Sequence, residues 1–104
     1  MFGLFDTRKV DDFAGTLAQE FARRFPPANE ERTDRAVQSQ LAVVSEGTYA
    51  RALRFHQENR LGMFRKAKLG NTFRWKLKEL GYSEPFVERI TRELVVRLAK
   101  RRKV

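Results

Sequence analysis

At 104 residues the chain is sized for one domain, and with no cysteine it is closed to disulfides and thiolate metal sites. Hydrophobic residues make up 41% of it, too many for a disordered polymer, yet no apolar run approaches the ~20 residues that span a bilayer. The formal charge of +9 biases the chain toward an anionic partner.

Helical periodicity dominates, read in chain order. Val10, Phe13, Ala14, Leu17, Ala18, Phe21, Ala22 and Phe25 recur in steps of three and four. They predict a first helix capped by Asp6 or Thr7 and stopped by Pro26-Pro27, because proline lacks the amide and disfavours helix before it. Residues 26–33 read as a polar connector. A second helix is expected from Thr33 or Asp34 to about Asn59, with Val37, Leu41, Val44, Thr48, Ala52 and Phe55 on one face. A second apolar line follows through Tyr49, Leu53, His56, Met63 and Phe64, and Gly47 weakens the helix by ~1 kcal/mol against alanine.

Phe64 lies opposite the stripe of Leu69, Phe73, Leu77 and Leu80, so a break near Gly70-Asn71 is expected, with Thr72 capping a helix to Leu80. Gly81 suits a left-handed C-terminal cap. Ser83 caps the last helix, with Pro85 in its first turn and Phe86, Val87, Ile90, Leu94 and Leu98 facing inward. The expectation is an all-α bundle or orthogonal array of four or five helices, one domain over residues 1–104. Phe13, Leu17, Phe21, Val37, Leu41, Val44, Leu53, Phe73, Leu77, Ile90 and Leu94 should form its core.

Little in the chain points to catalysis. His56 is the only histidine and sits among core candidates, reading as a structural residue without a nucleophile to serve. Without cysteine or a second histidine no transition-metal site is expected. Asp11/Asp12 and Glu30/Glu31 are sequence neighbours and point to different sides of a helix. Gly62, Gly70 and Gly81 are isolated and make no phosphate loop. Neither an enzyme nor a cofactor is expected. Met1–Phe5 is apolar but short and followed by Asp6, so no signal peptide is expected and the cytoplasm is the default compartment.

The charge is uneven. Residues 1–60 hold nine Lys/Arg against nine Asp/Glu, while residues 61–104 hold thirteen against four and carry the whole excess. Within that basic half, FRWKLKELGYSEPFVERITR over residues 73–92 resembles the DNA-binding helix-turn-helix. Gly81 stands at the turn, Leu80 and Tyr82 flank it, and Val87 and Ile90 clamp the second helix. The resemblance implies that Arg89 and Arg92 approach nucleic acid. It departs from the pattern at Leu77, where a small residue is usual, and at Lys76, where an apolar one is.

Two groups of cations are candidate phosphate contacts. Arg65, Lys66, Lys68, Arg74, Lys76 and Lys78 interleave with Phe64 and Trp75; Trp75 falls off the apolar stripe, which suits packing against another helix, stacking on a base or a lipid interface. Arg97, Lys100, Arg101, Arg102 and Lys103 form the second group at the C-terminal end. The expected partner is therefore nucleic acid. The alternatives are a protein partner or homodimer docked on exposed aromatics, and peripheral attachment to an anionic membrane, which the nearly balanced charge of the first helix disfavours; Met1–Phe5 is expected to fold back on the bundle as a plug, or else to serve one of these two.

Overall fold

A computed structural model describes residues 6–100. It contains four helices: α1 (Arg8–Arg24), α2 (Arg35–Asn59), α3 (Met63–Leu80) and α4 (Glu84–Ala99). A short 3₁₀ turn at Pro27–Asn29 lies between α1 and α2. The fold is all-α, and no described helix is long and apolar enough to cross a membrane.

Local chemistry sets most helix ends. Asp6 Oδ1 accepts the Arg8 backbone N–H at 3.1 Å, occupying one of the amides that a helix start leaves over. Thr7 stands at the cap position, but its hydroxyl donates to Asp11 Oδ2 at 3.1 Å. Ser83 Oγ accepts from Phe86 N at the start of α4. Gly81, at φ 113°, closes α3: its own N–H bonds Lys78 O, and the Tyr82 N–H bonds Leu77 O. Arg60 takes the same left-handed role after α2 at φ 50°, without glycine's freedom.

Side-chain contacts give the topology. Phe13 stacks on Phe55, Glu20 pairs with Arg51, and Gln40 Nε2 donates to Arg24 O at 2.9 Å, so α1 and α2 are antiparallel. Asp11 meets Lys68 and Thr72 and Gly15 lies against Lys76, so α3 runs parallel to α1. Lys78 and Arg74 reach Glu84 and Glu88, and Gly70 lies against Val95, so α4 returns along α3. Tyr49 Oη donates to Ile90 O at 3.0 Å, and Arg97 pairs with Glu46, which ties α2 to α4.

The core runs between the helices through Leu17, Phe21, Leu69, Phe73, Leu77, Val87, Leu94 and Leu98. Its densest part is aromatic. Phe25, Tyr82 and Phe86 stack in parallel planes, while Phe21 presents its ring edge-on to Phe73 and Tyr82. Buried Tyr82 donates its hydroxyl to the Phe25 carbonyl. Burial, and then the Glu30 charge, push the Tyr82 phenol above its ordinary range.

Four expectations are corrected. First, α3 is unbroken through Gly70-Asn71, and Thr72 is no cap: its hydroxyl donates to Asp11 Oδ1 at 2.8 Å. Gly70 belongs inside the helix because α4 approaches so closely there that a Cβ would lie 2.9 Å from Val95 Cγ2. Second, Met63 and Phe64 do not extend the buried line of α2. They open α3 at 84% and 56% exposure, since the chain reverses at Arg60–Gly62. Third, Phe13 and Leu53 are half-buried at the core's edge, where Phe13 stacks with Phe55 at 4.0 Å between ring centres. Fourth, Leu80 is 37% exposed, because the last turn of α3 extends past the core and Tyr82 fills the space.

The two buried helix glycines predict opposite outcomes. Gly70→Ala should lose about 1 kcal/mol, the overpacking of ~1–3 kcal/mol outweighing a helix-propensity gain of ~1 kcal/mol, and Val95→Ala in the same chain should recover that loss. Gly15→Ala should gain ~0.5–1 kcal/mol, because its Cβ would meet Lys76 Cε at an ordinary 3.6 Å. Urea unfolding of the three variants beside the parent chain checks both.

Candidate functional site

Helix ends reach the start of α3 from two sides. The start of α1, the end of α2 and the start of α3 surround a cleft of about 280 Å³ lined by Asp6, Lys9, Val10, Phe55, Asn59, Leu61 and Arg65. The start of α3 and the end of α4 flank an apolar groove of about 210 Å³, lined by Met63, Ala67, Val95, Leu98 and Ala99 with Lys66 at its side. The opposite pole holds the aromatic cluster and the turn at Gly81.

Charge separates along the same axis. Lys9 and Arg65 line the cleft and Arg8 and Arg60 adjoin its lining residues in sequence, whereas Lys66 and Lys100 belong to the side of the apolar groove. The carboxylates there are Asp6, held below its usual range first by hydrogen bonds from Arg8, and Glu58, with Asp11 and Asp12 a turn further along α1. Burial alone would raise the Asp11 carboxyl, but Thr72, Thr7 and Lys68 together bring it below the ordinary value.

The cations predicted along the rest of α3 have carboxylate neighbours. Arg74 pairs with Glu88 and Glu84, Lys78 with Glu84, Lys76 with Glu79 at 3.5 Å, and Lys68 with Asp11 at 3.4 Å. Trp75 is 51% exposed on this outer face, with Lys78 Nζ 5.0 Å and the Arg74 guanidinium 5.7 Å from its ring centre. On α4, Arg89 lies over the Phe86 ring and Arg92 is exposed. Arg97 turns toward α2: it bonds Glu46 and Glu93 and lies 5.0 Å from the Tyr49 ring centre. Those carboxylates raise its pKa further. Burial, followed by the charge of Glu93, pushes the Tyr49 phenol up to about 12.

Apart from Arg89 and Arg92 on α4, the sequence-predicted cations among the described residues divide into three groups. Arg65, Lys66 and Lys100 gather at the pole; Lys68, Arg74, Lys76 and Lys78 sit among carboxylates along α3; Arg97 belongs to the α2–α4 seam. Arg101, Arg102 and Lys103, like Met1–Phe5, lie outside the described residues. Sequence reasoning passed over Arg8, Lys9 and Arg60, because residues 1–60 sum to neutral charge. The signal for them was the antiparallel path itself, which returns the first and second helices to the pole where the third begins.

Among the described residues the architecture is all-α, with four helices. No known protein family matches the chain, and neither does any curated protein or solved structure.

His56 borders this pole on the last turns of α2. Its Nδ1 is buried without a hydrogen-bond partner, and burial, followed by the charge of Lys66, lowers its pKa below 6.5. The folded chain thus binds this proton more weakly than the unfolded one. Stability should fall as pH drops through 6.5 toward the lowered folded value. Urea midpoints at pH 7.5 and 5.5 should differ in the parent chain and differ less in His56→Gln; equal shifts would remove His56 as the cause.

Proposed function

We propose that the protein binds nucleic acid through the basic pole. The observation that supports this best is the gathering of cations around the start of α3: Lys9 and Arg65 line the cleft, Arg8 and Arg60 adjoin its lining residues in sequence, and Lys66 stands at the separate apolar groove. A concentrated positive field attracts a phosphate backbone without sequence information, and releases the counterions condensed on it. In sequence, Arg101, Arg102 and Lys103 directly follow Lys100 and extend the same charge.

In this reading phosphates contact the pole first. Lys68, Arg74, Trp75, Lys76, Lys78, Arg89 and Arg92 make a flanking surface, reached by longer strands. Groove reading by α4 in helix-turn-helix fashion has less support. That helix opens with Glu84 and Glu88, and its contact with α3 continues from the turn to the groove at Met63 and Ala99. A second reading, docking of a protein partner or an anionic membrane, draws on one observation: the apolar groove beside Lys66, with Met63 at 84% exposure.

If about six phosphates are neutralised on duplex DNA, log K should fall against log[salt] with a slope near −5. Replacing Lys9, Lys66 and Lys100 by alanine together should bring the slope to about −3, whereas replacing Arg74, Lys76 and Lys78 should change it less. A titration of labelled duplex, single-stranded DNA and RNA at several salt concentrations measures this. Absence of binding at low salt overturns the proposal, and salt-dependent sedimentation with acidic vesicles instead would favour the membrane reading.

A further inference from the structure

The cleft at the basic pole differs from a plain phosphate-binding surface in having an apolar floor. Val10 and Leu61 are buried, and Phe55, already stacked on Phe13, completes the wall. Polar groups stand at its edge. Asn59 Nδ2 donates a hydrogen bond to Phe55 O at 2.9 Å, which holds an amide, a group that can both donate and accept, at the edge of the cleft. Asp6 lines the cleft with its charge met by Arg8, in two contacts at 3.1–3.2 Å. Lys9 and Arg65 supply cations at the same opening.

An apolar floor, one amide able to donate and accept, and cations at the mouth are the elements that recognise an unpaired nucleobase and its phosphate. The volume of about 280 Å³ suits one base rather than a larger ligand. A base inside a duplex must leave its stack to enter such a cleft, whereas a base of a single strand is already available. We infer that the protein selects single-stranded nucleic acid by seating one unpaired base in the cleft, over Val10, Phe55 and Leu61 and against the Asn59 amide, with the adjoining phosphates on Lys9 and Arg65.

This inference rests on the nucleic-acid reading above, and three probes of equal length separate the two. They are a labelled single-stranded 12-mer, the same strand with its bases replaced by abasic sites, and the corresponding duplex, titrated by anisotropy at one low salt concentration. The single strand should bind about tenfold more tightly than the abasic strand, with the same salt slope, and more tightly than the duplex. Asn59→Ala should weaken the single strand severalfold and leave the abasic strand unchanged. Equal affinity for the single and abasic strands, or for single strand and duplex, overturns the inference while leaving phosphate binding intact. Binding of none of the three overturns both. Should Asn59→Ala fail to fold, the parent chain's discrimination against the abasic strand decides alone.

Discussion

The hydrogen bond from Tyr82 to the Phe25 carbonyl holds the architecture at its closed end. Phe25 ends α1 just before Pro26-Pro27, where a helix leaves carbonyls without intrahelical partners. Tyr82 follows the glycine that ends α3, so one buried contact joins the stop of the first helix to the turn between the last two. Rings from α1, α3 and α4 close around it, each contributing packing beyond its area. With α1 and α3 pinned at the same end, they must run parallel, and α2 and α4 must travel back. Away from that end, the start of α1, the end of α2 and the start of α3 border one cleft, and the end of α4 meets the start of α3 at a separate groove.

Charge placement follows from that geometry. At the closed pole, carboxylates are drawn into structure: Glu30 accepts from the Ser83 N–H and hydroxyl, and Glu84 and Glu88 meet Arg74 and Lys78. The macrodipole rewards acids at the start of α4. At the open pole, cations at the ends of α2 and α4 are favoured by the same dipoles, but those at the start of α1 and α3 are not. Arg65 and Lys66, in the first turn of α3, gain nothing from it, and no acidic residue stands there. Helix electrostatics therefore does not explain the cations at the start of α3; for Arg65, the charge of Asp6 across the cleft does part of it.

The boundaries legible in the sequence were those with local causes. Pro26-Pro27, Gly81 and Ser83 act on their own neighbours through a missing amide, a positive φ and a side-chain acceptor, and each stands where it was expected. The break assigned to Gly70-Asn71 failed because a glycine inside a helix has two explanations, a stop or a close approach. Only Val95, 25 residues away, decides between them. Met63 and Phe64 were placed on the wrong helix for a related reason: the chain reverses at Arg60, a residue with no turn signature. The basic site was half legible. Counting charge along the chain found Arg65, Lys66 and Lys100 but hid Arg8, Lys9 and Arg60, whose excess is local in space and cancelled in sequence.

Distance decides how the two remaining groups of cations on α3 relate. Lys66 and Lys78 are twelve residues apart, ~18 Å at the rise of an α-helix. That is about two Debye lengths at physiological ionic strength, where screening reaches ~8 Å. The Arg74–Lys78 group therefore lends little field to the pole and is felt mainly by a ligand that touches it. Its surface ion pairs, each worth ~0–1 kcal/mol, would not resist a phosphate by themselves. The obstacle is that Glu84 and Glu88 remain in place afterwards as like charges beside the bound phosphate. In the proposed function a ligand held at the pole meets Asp6 in the same way, with its charge already met by Arg8, and meets Glu84 and Glu88 only once it is long enough to pass Trp75. In the proposed function, the aromatic and its two cations would thus act on the length of strand bound rather than on the initial encounter.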